Sequence, residues 1–137
     1  MNMRALRSDT RGQALLEFAL VLPILLLLVL GIVEFGRIWN INQMVSDTTR
    51  EGARRAVVFD QPPSTEQQVH DFMMQRLWDA HVDTSVVTIT FSQTGTGNWK
   101  ATGKDQTVTV QFPYSFMFFT RAFGTVQITS SFTMRNE

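Results

Sequence analysis

Hydrophobic positions along this chain change their period twice. From Ala14 to Val33 twenty consecutive residues are apolar on every side, with Glu17 the only ionisable group among them. At about 1.5 Å per residue such a run is roughly 30 Å long as a helix, the hydrocarbon thickness of a bilayer, so it predicts a membrane-crossing helix. Beyond Val33 the helical period continues in a different form. Ile38, Ile41, Val45, Thr48, Gly52 and Ala56 recur at spacings of three and four, while Asn42, Asp47, Arg50, Glu51, Arg54 and Arg55 fall mostly on other faces. Pairs three or four apart, Glu34 with Arg37, Asp47 with Arg50, and Glu51 with Arg54 and Arg55, are placed to add a few tenths of a kcal/mol each. Asp60, Gln61, Pro62 and Pro63 end the pattern. One helix from about Gln13 to Phe59 is therefore expected, roughly 70 Å long with about 40 Å outside the membrane, and Pro23, Gly31 and Gly36 are the points where it could bend.

A second, shorter helix is expected to begin at Ser64, with Ser64 and Gln67 forming a capping box and Val69, Phe72, Met73, Leu77 and Ala80 its apolar stripe. From Thr84 the period becomes two. Val87, Ile89 and Phe91 alternate with Thr88, Thr90 and Ser92; Val108, Val110 and Phe112 alternate with Thr107, Thr109 and Gln111. The turn-rich stretch TGTGNWKATGKD between them predicts a hairpin with a long tip. A third strand, TVQITSSFTM, carries Val126, Ile128, Ser130, Phe132 and Met134 on one face, and the aromatic PYSFMFFTRAFG before it is expected to be irregular. The predicted fold class is α+β: a long N-terminal transmembrane helix extending into a domain with one short helix and a three-stranded antiparallel sheet. Thr48, Thr49, Gly52, Ala53 and Ala56 are small enough to let the sheet approach the long helix closely.

The flanks of the apolar run decide how it is used. A cleaved secretory signal has an apolar core of about 7 to 15 residues followed by a small-x-small site; this run is longer, and Ile32, Val33, Glu34, Phe35, Gly36 and Arg37 offer no such site, so the helix is expected to be retained. Arg4, Arg7 and Arg11 against Asp9 leave an excess of arginine before the run, whereas Glu34 and Arg37 cancel after it, which predicts a cytoplasmic N-terminus and an exported C-terminal part. The whole chain of 137 residues has formal net charge +0 and no massed basic stretch, so no nucleic-acid partner is expected. With no cysteine, the domain has neither a disulfide nor a thiolate metal site, and packing and association must stabilise it.

Glu17 is the residue that demands an explanation. Near the end of the run a carboxylate can lie at headgroup depth, where its cost falls below the roughly 2.5 to 3.5 kcal/mol of the bilayer centre, although intramembrane charges are usually partnered or functional. Gly12 lies five residues before it, behind Arg11 and a basic leader. This pattern resembles the processing signal of type IV prepilins, which a membrane-embedded prepilin peptidase cuts after the Gly. A cut between Gly12 and Gln13 would create an α-amino group one helical turn from Glu17 on the same face. The charge that answers Glu17 would be the subunit's own terminus or that of a neighbour staggered along a filament; an N-terminal Gln that cyclises would carry no such charge.

GQALLEFALVLPILLLLVLGIVEFGR, TTREGARRAVV and the terminal SSFTMRNE together resemble the TadE-like pilins of the tight-adherence (Tad, or Flp) pilus system. The resemblance covers residues 11 to 59 and, more loosely, the C-terminal end. It implies a minor pilin or pseudopilin of the cytoplasmic (inner) membrane, single-pass and pilin-like in fold, that acts in pilus assembly and surface adherence and has the pilus as a further location. In those terms residues 1–12 are a cytoplasmic leader, 13–59 the long helix with its transmembrane part at 14–33, and 60–137 the exported domain. Arg11 supplies leader charge, Gly12 and Gln13 form the processing site, and Glu17 is the assembly or recognition carboxylate. The implied partners are the membrane, the prepilin peptidase, other pilin-like subunits and the Tad assembly machine, with no small-molecule substrate, cofactor or metal.

Other features give weaker chemistry. Arg50, Arg54 and Arg55 could read phosphate or lipid headgroups, but pairing with Asp47 and Glu51 makes a solvated helix face the expected role. Gly52 in a helix interior costs about 1 kcal/mol relative to Ala and is expected to mark close packing. His70 and His81, near Asp71, Asp79 and Asp83, match no metal-ligand spacing, and no phosphate loop or nucleophile elbow is present, so no enzyme is expected. Of the aromatic group Phe112, Tyr114, Phe116, Phe118, Phe119 and Phe123, Phe112 is expected in the core; the others could be core or a contact surface for another subunit. The alternative from another class is a signal-anchored extracytoplasmic domain that binds a ligand through its sheet.

Overall fold

The computed structural model describes residues 10–58, 64–95, 99, 101–118 and 124–136, with side chains from residue 12 onward. Helix α1 runs unbroken through Thr10–Val57, past Pro23, Gly31 and Gly36. Thr10 precedes Gln13, so the bond between Gly12 and Gln13 lies within the helix rather than before it. The predicted stop at Asp60 to Pro63 and the predicted end at Phe59 lie outside the described residues, as do the leader before Thr10, Phe119 and Phe123. From Leu15 to Val33 the apolar side chains of α1 are exposed almost throughout. This N-terminal helix is long and apolar enough to cross a membrane.

Helix α2, Glu66–Asp79, is capped one residue later than expected. Thr65 Oγ1 accepts from the Gln68 backbone N–H at 3.2 Å, and Gln68 Oε1 accepts from the Thr65 N–H at 2.9 Å. The two registers offer the same kind of box. The chosen one buries Val69, Met73 and Leu77 together, and it leaves the Ser64 carbonyl to accept the Trp99 indole N–H at 3.0 Å.

Strands β1 (Thr88–Gln93), β2 (Asp105–Ser115) and β3 (Thr125–Arg135) form an antiparallel sheet in the order β1-β2-β3. Register pairs Phe91 with Val108 and Val108 with Phe132, so the alternating apolar positions share one face. Two expectations need correction. Val87 is not in β1 but ends a one-turn 3-10 helix, Thr84–Val86. β2 continues through Pro113 to Ser115, taking in the start of the stretch expected to be irregular. Pro113 is tolerated because β1 pairing ends at Thr88 with Gln111; beyond that point β2 has only β3 as a neighbour and behaves as an edge.

The core lies where α1, α2 and the sheet meet: Val45, Ala53 and Ala56, then Val69, Met73 and Leu77, then Val108, Val110, Phe112, Tyr114 and Ile128. Thr49 enters it at no polar cost, since its hydroxyl donates to the Val45 carbonyl at 2.6 Å. On β3, Ile128 is buried while Val126, expected on the same face, is exposed at the strand's end. Gly52 makes room for the second helix rather than for the sheet, because a Cβ there would run into the Met73 side chain. Gly52→Leu is expected to lose about 1–3 kcal/mol by overpacking, and Met73→Ala in the same chain to return part of it, read by thermal unfolding in detergent.

Candidate functional site

Two carboxylates of α1 lie at opposite ends of the apolar run. At the first end, Gly12 and Gln13 stand in α1 close to the first described residue, Thr10. Gln13 Nε2 donates to Glu17 Oε1 at 3.2 Å, so groups at positions 13 and 17 reach each other along one helix face. Among the described residues nothing approaches Gly12 closely enough to meet a side chain there, and the same holds for Gly31 and Gly36. Packing against the described residues therefore does not require glycine at position 12, in contrast to position 52. Arg11 belongs to the same turn, but its side chain is outside the described set.

At the far end, Glu34 is the first residue beyond the run, and only 3% of its surface is exposed. Its sequence neighbour Arg37 is not its direct partner, as the spacing had suggested. Instead Glu34 Oε1 accepts the Tyr114 hydroxyl at 2.8 Å and the Met117 backbone N–H at 2.8 Å, eighty or more positions along the chain. The Arg37 guanidinium lies over the Tyr114 ring, 5.5 Å from its centroid, and Phe116 meets that ring edge-on at 5.4 Å. Tyr114 is buried at the end of β2 that continues past the last β1 partner. This cluster fastens one end of the sheet to the first residue of α1 beyond the apolar run.

Burial alone would push the Glu34 carboxyl up, but the Met117 N–H, the Tyr114 hydroxyl, the Arg37 charge and the Phe118 backbone outweigh it, and the group is held below its ordinary 4.5. Burial, together with the hydrogen bond to Glu34, pushes the Tyr114 hydroxyl up from 10.0. A depressed carboxyl contributes stability that is fully present above its unfolded-state pKa and lost as pH falls through the folded one. Thermal unfolding in detergent should therefore show the native chain losing stability below about pH 4.5. Tyr114→Phe should cost about 1.5–3 kcal/mol near neutral pH, the range for a hydrogen bond to a charged group, and the gap should narrow in acid.

The remaining candidates are spread out. Glu51 takes Arg54 at 3.2 Å and Arg55 at 3.4 Å. Arg50 does not face Asp47; it lies 4.9 Å over the Phe132 ring, and Arg55 lies 3.5 Å over Phe72. The arginines thus cover apolar rings as well as facing solvent. His70, 3.4 Å from Asp71, lies in α2, whereas His81 follows that helix with φ 60°, so the two are not brought together. Among the described residues no group of three or more His, Cys, Asp or Glu side chains could hold a metal ion. Phe112 is in the core as expected; Tyr114 joins it, Phe116 is half-buried, and Phe118 is exposed.

Sequence reasoning had treated Glu34 as a charge cancelled by Arg37. The available signal was a carboxylate at the edge of an apolar run together with a Tyr in an alternating strand, but nothing local relates positions so far apart. Residues 12–54 match the family model described as TadE-like protein. No curated protein and no solved structure matches the chain. The matched segment starts at Gly12 and covers both carboxylates, the apolar run and most of the amphipathic half of α1.

Proposed function

From a chain whose residues 12–54 are TadE-like, which ties it to the Tad pilus system, we propose a minor pilin or pseudopilin that is cut after Gly12 by the prepilin peptidase and works in pilus assembly and surface adherence. The observation that carries this reading is the placement of Gly12, Gln13 and Glu17. A glycine that no contact with the described residues requires stands just before the apolar run, five residues ahead of the run's only carboxylate. The Gln13 to Glu17 contact supports the second half: a terminus freed at position 13 would have the Glu17 carboxylate within reach. A carboxylate in apolar surroundings favours an opposite charge.

In this mechanism the arginine-rich start stays in the cytoplasm and the sheet domain is exported. The peptidase opens α1 at this point and cuts between Gly12 and Gln13. The freed apolar helix then packs beside helices of other pilin-like subunits, guided by Glu17. N-terminal sequencing of protein made with and without a prepilin peptidase tests the proposal. A start at Gln13 that appears only with the enzyme supports it; a start at Met1 in both, or a cut beyond Val33, refutes it.

A further inference from the structure

The Glu34 cluster sets the height of the sheet's end relative to the membrane. Met117, whose backbone N–H it holds at 2.8 Å, is level with the first residue after the apolar run. Met117 is 69% exposed and Phe118 48%, although both are apolar and both flank a buried hydrogen bond. On the helix itself, Phe35 and Trp39 are 65% and 57% exposed and face each other at 6.1 Å. Phe35 and Trp39 stand about 3 Å and 9 Å above Val33 along the axis. Side chains on a helix lean toward its N-terminus, so both rings tilt back toward the apolar run. The interfacial layer on each side of a bilayer's hydrocarbon core is roughly 5–8 Å thick. All four side chains therefore fall at the depth where aromatic residues anchor proteins to membranes.

We infer that Met117 and Phe118, with Phe35 and Trp39, form an apolar collar that inserts into the phospholipid interface on the domain's side of the membrane. The Glu34 carboxylate is the pin that sets the collar's depth. Lipid, rather than another copy of the chain, is the occupant to which the geometry points, because the patch is continuous with the membrane-crossing run and sits at one end of the domain. The opposite end, near Thr102, is separated from it by β2, whose ten steps from Asp105 to Ser115 span roughly 34 Å. The collar requires that residues 14–33 span the bilayer, and it does not depend on processing after Gly12.

The chain has no cysteine, so single cysteines can be introduced and labelled with an environment-sensitive fluorophore. Full-length Leu26→Cys, Met117→Cys and Thr102→Cys would be reconstituted in phosphatidylethanolamine–phosphatidylglycerol vesicles containing lipids brominated near the headgroup or deep in the acyl chain. The Leu26 label should be quenched by the deep lipid. The Met117 label should be blue-shifted and quenched by the shallow lipid at least about two-fold more than the Thr102 label. Phe118→Ser, a change at an exposed position, should move the Met117 label toward the Thr102 values. A Met117 label that matches the Thr102 label, while the Leu26 label is quenched, overturns the collar and leaves the span standing. A blue shift that ignores brominated lipid and grows with the protein-to-lipid ratio also overturns it, since a second copy would then cover the patch. No change with Phe118→Ser overturns the role given to Phe118.

Discussion

Gly12→Ala should leave the protein folded and membrane-inserted yet uncut, accumulating at full length in cells that contain the prepilin peptidase. The expectation follows from the contrast between glycines. At position 52 a side chain collides with Met73, whereas at position 12 it meets open space. Alanine is also favoured over glycine by about 1 kcal/mol in a helix interior, so α1 should be strengthened rather than weakened around position 12. Any loss must come from a partner that needs the bare backbone or an easily opened turn. The measurement is the fraction of full-length protein by immunoblot with the N-terminal sequence of each band. Near-complete loss of cutting, with the thermal midpoint unchanged or raised, is the expected result. Normal cutting of the alanine variant would defeat the assignment of Gly12.

Glu17→Gln should separate insertion from assembly. Neutralising a carboxylate in an apolar helix removes a cost of up to about 2.5–3.5 kcal/mol, less at the membrane's edge, so insertion should be equal or better. If Glu17 answers a buried charge in a neighbouring subunit, removing it leaves that charge unpaired, which costs about 3–5 kcal/mol. That corresponds to a loss of about a hundred-fold or more in association. Membrane fractionation should then find normal amounts of the variant, while co-purification with pilus filaments falls to background. A signal-anchored binding domain would stay inserted and active after the change and would not co-purify with filaments in either form, so that outcome would favour the alternative.

The elements were legible because each carries its own period. All-round apolarity from Ala14 to Val33, the three-and-four spacing from Ile38 to Ala56, and the alternation in β1, β2 and β3 are local signals, and the structure reproduces them. Errors gathered where local chemistry is degenerate. Ser64 with Gln67 and Thr65 with Gln68 are the same kind of box one residue apart, and the structure uses the second. The stretch from Pro113 was expected to be irregular, and its first three residues extend β2 because that strand runs on beyond its last β1 partner. At the candidate site, the placement of Gln13 and Glu17 on one helix face follows from their spacing, whereas the role given to Gly12 comes from the resemblance to prepilin processing signals. Glu34 was misassigned to Arg37 because its true partners, Tyr114 and Met117, are set by the closing of the sheet onto α1.

Helix α1 has a mechanical meaning apart from its packing. Forty-eight residues without interruption make a rod of roughly 70 Å whose first half carries exposed apolar side chains and whose second half is built into the core. The apolar run and the sheet domain therefore share one helix with no loop between them, and the Glu34 hydrogen bonds stand at the junction of the two halves.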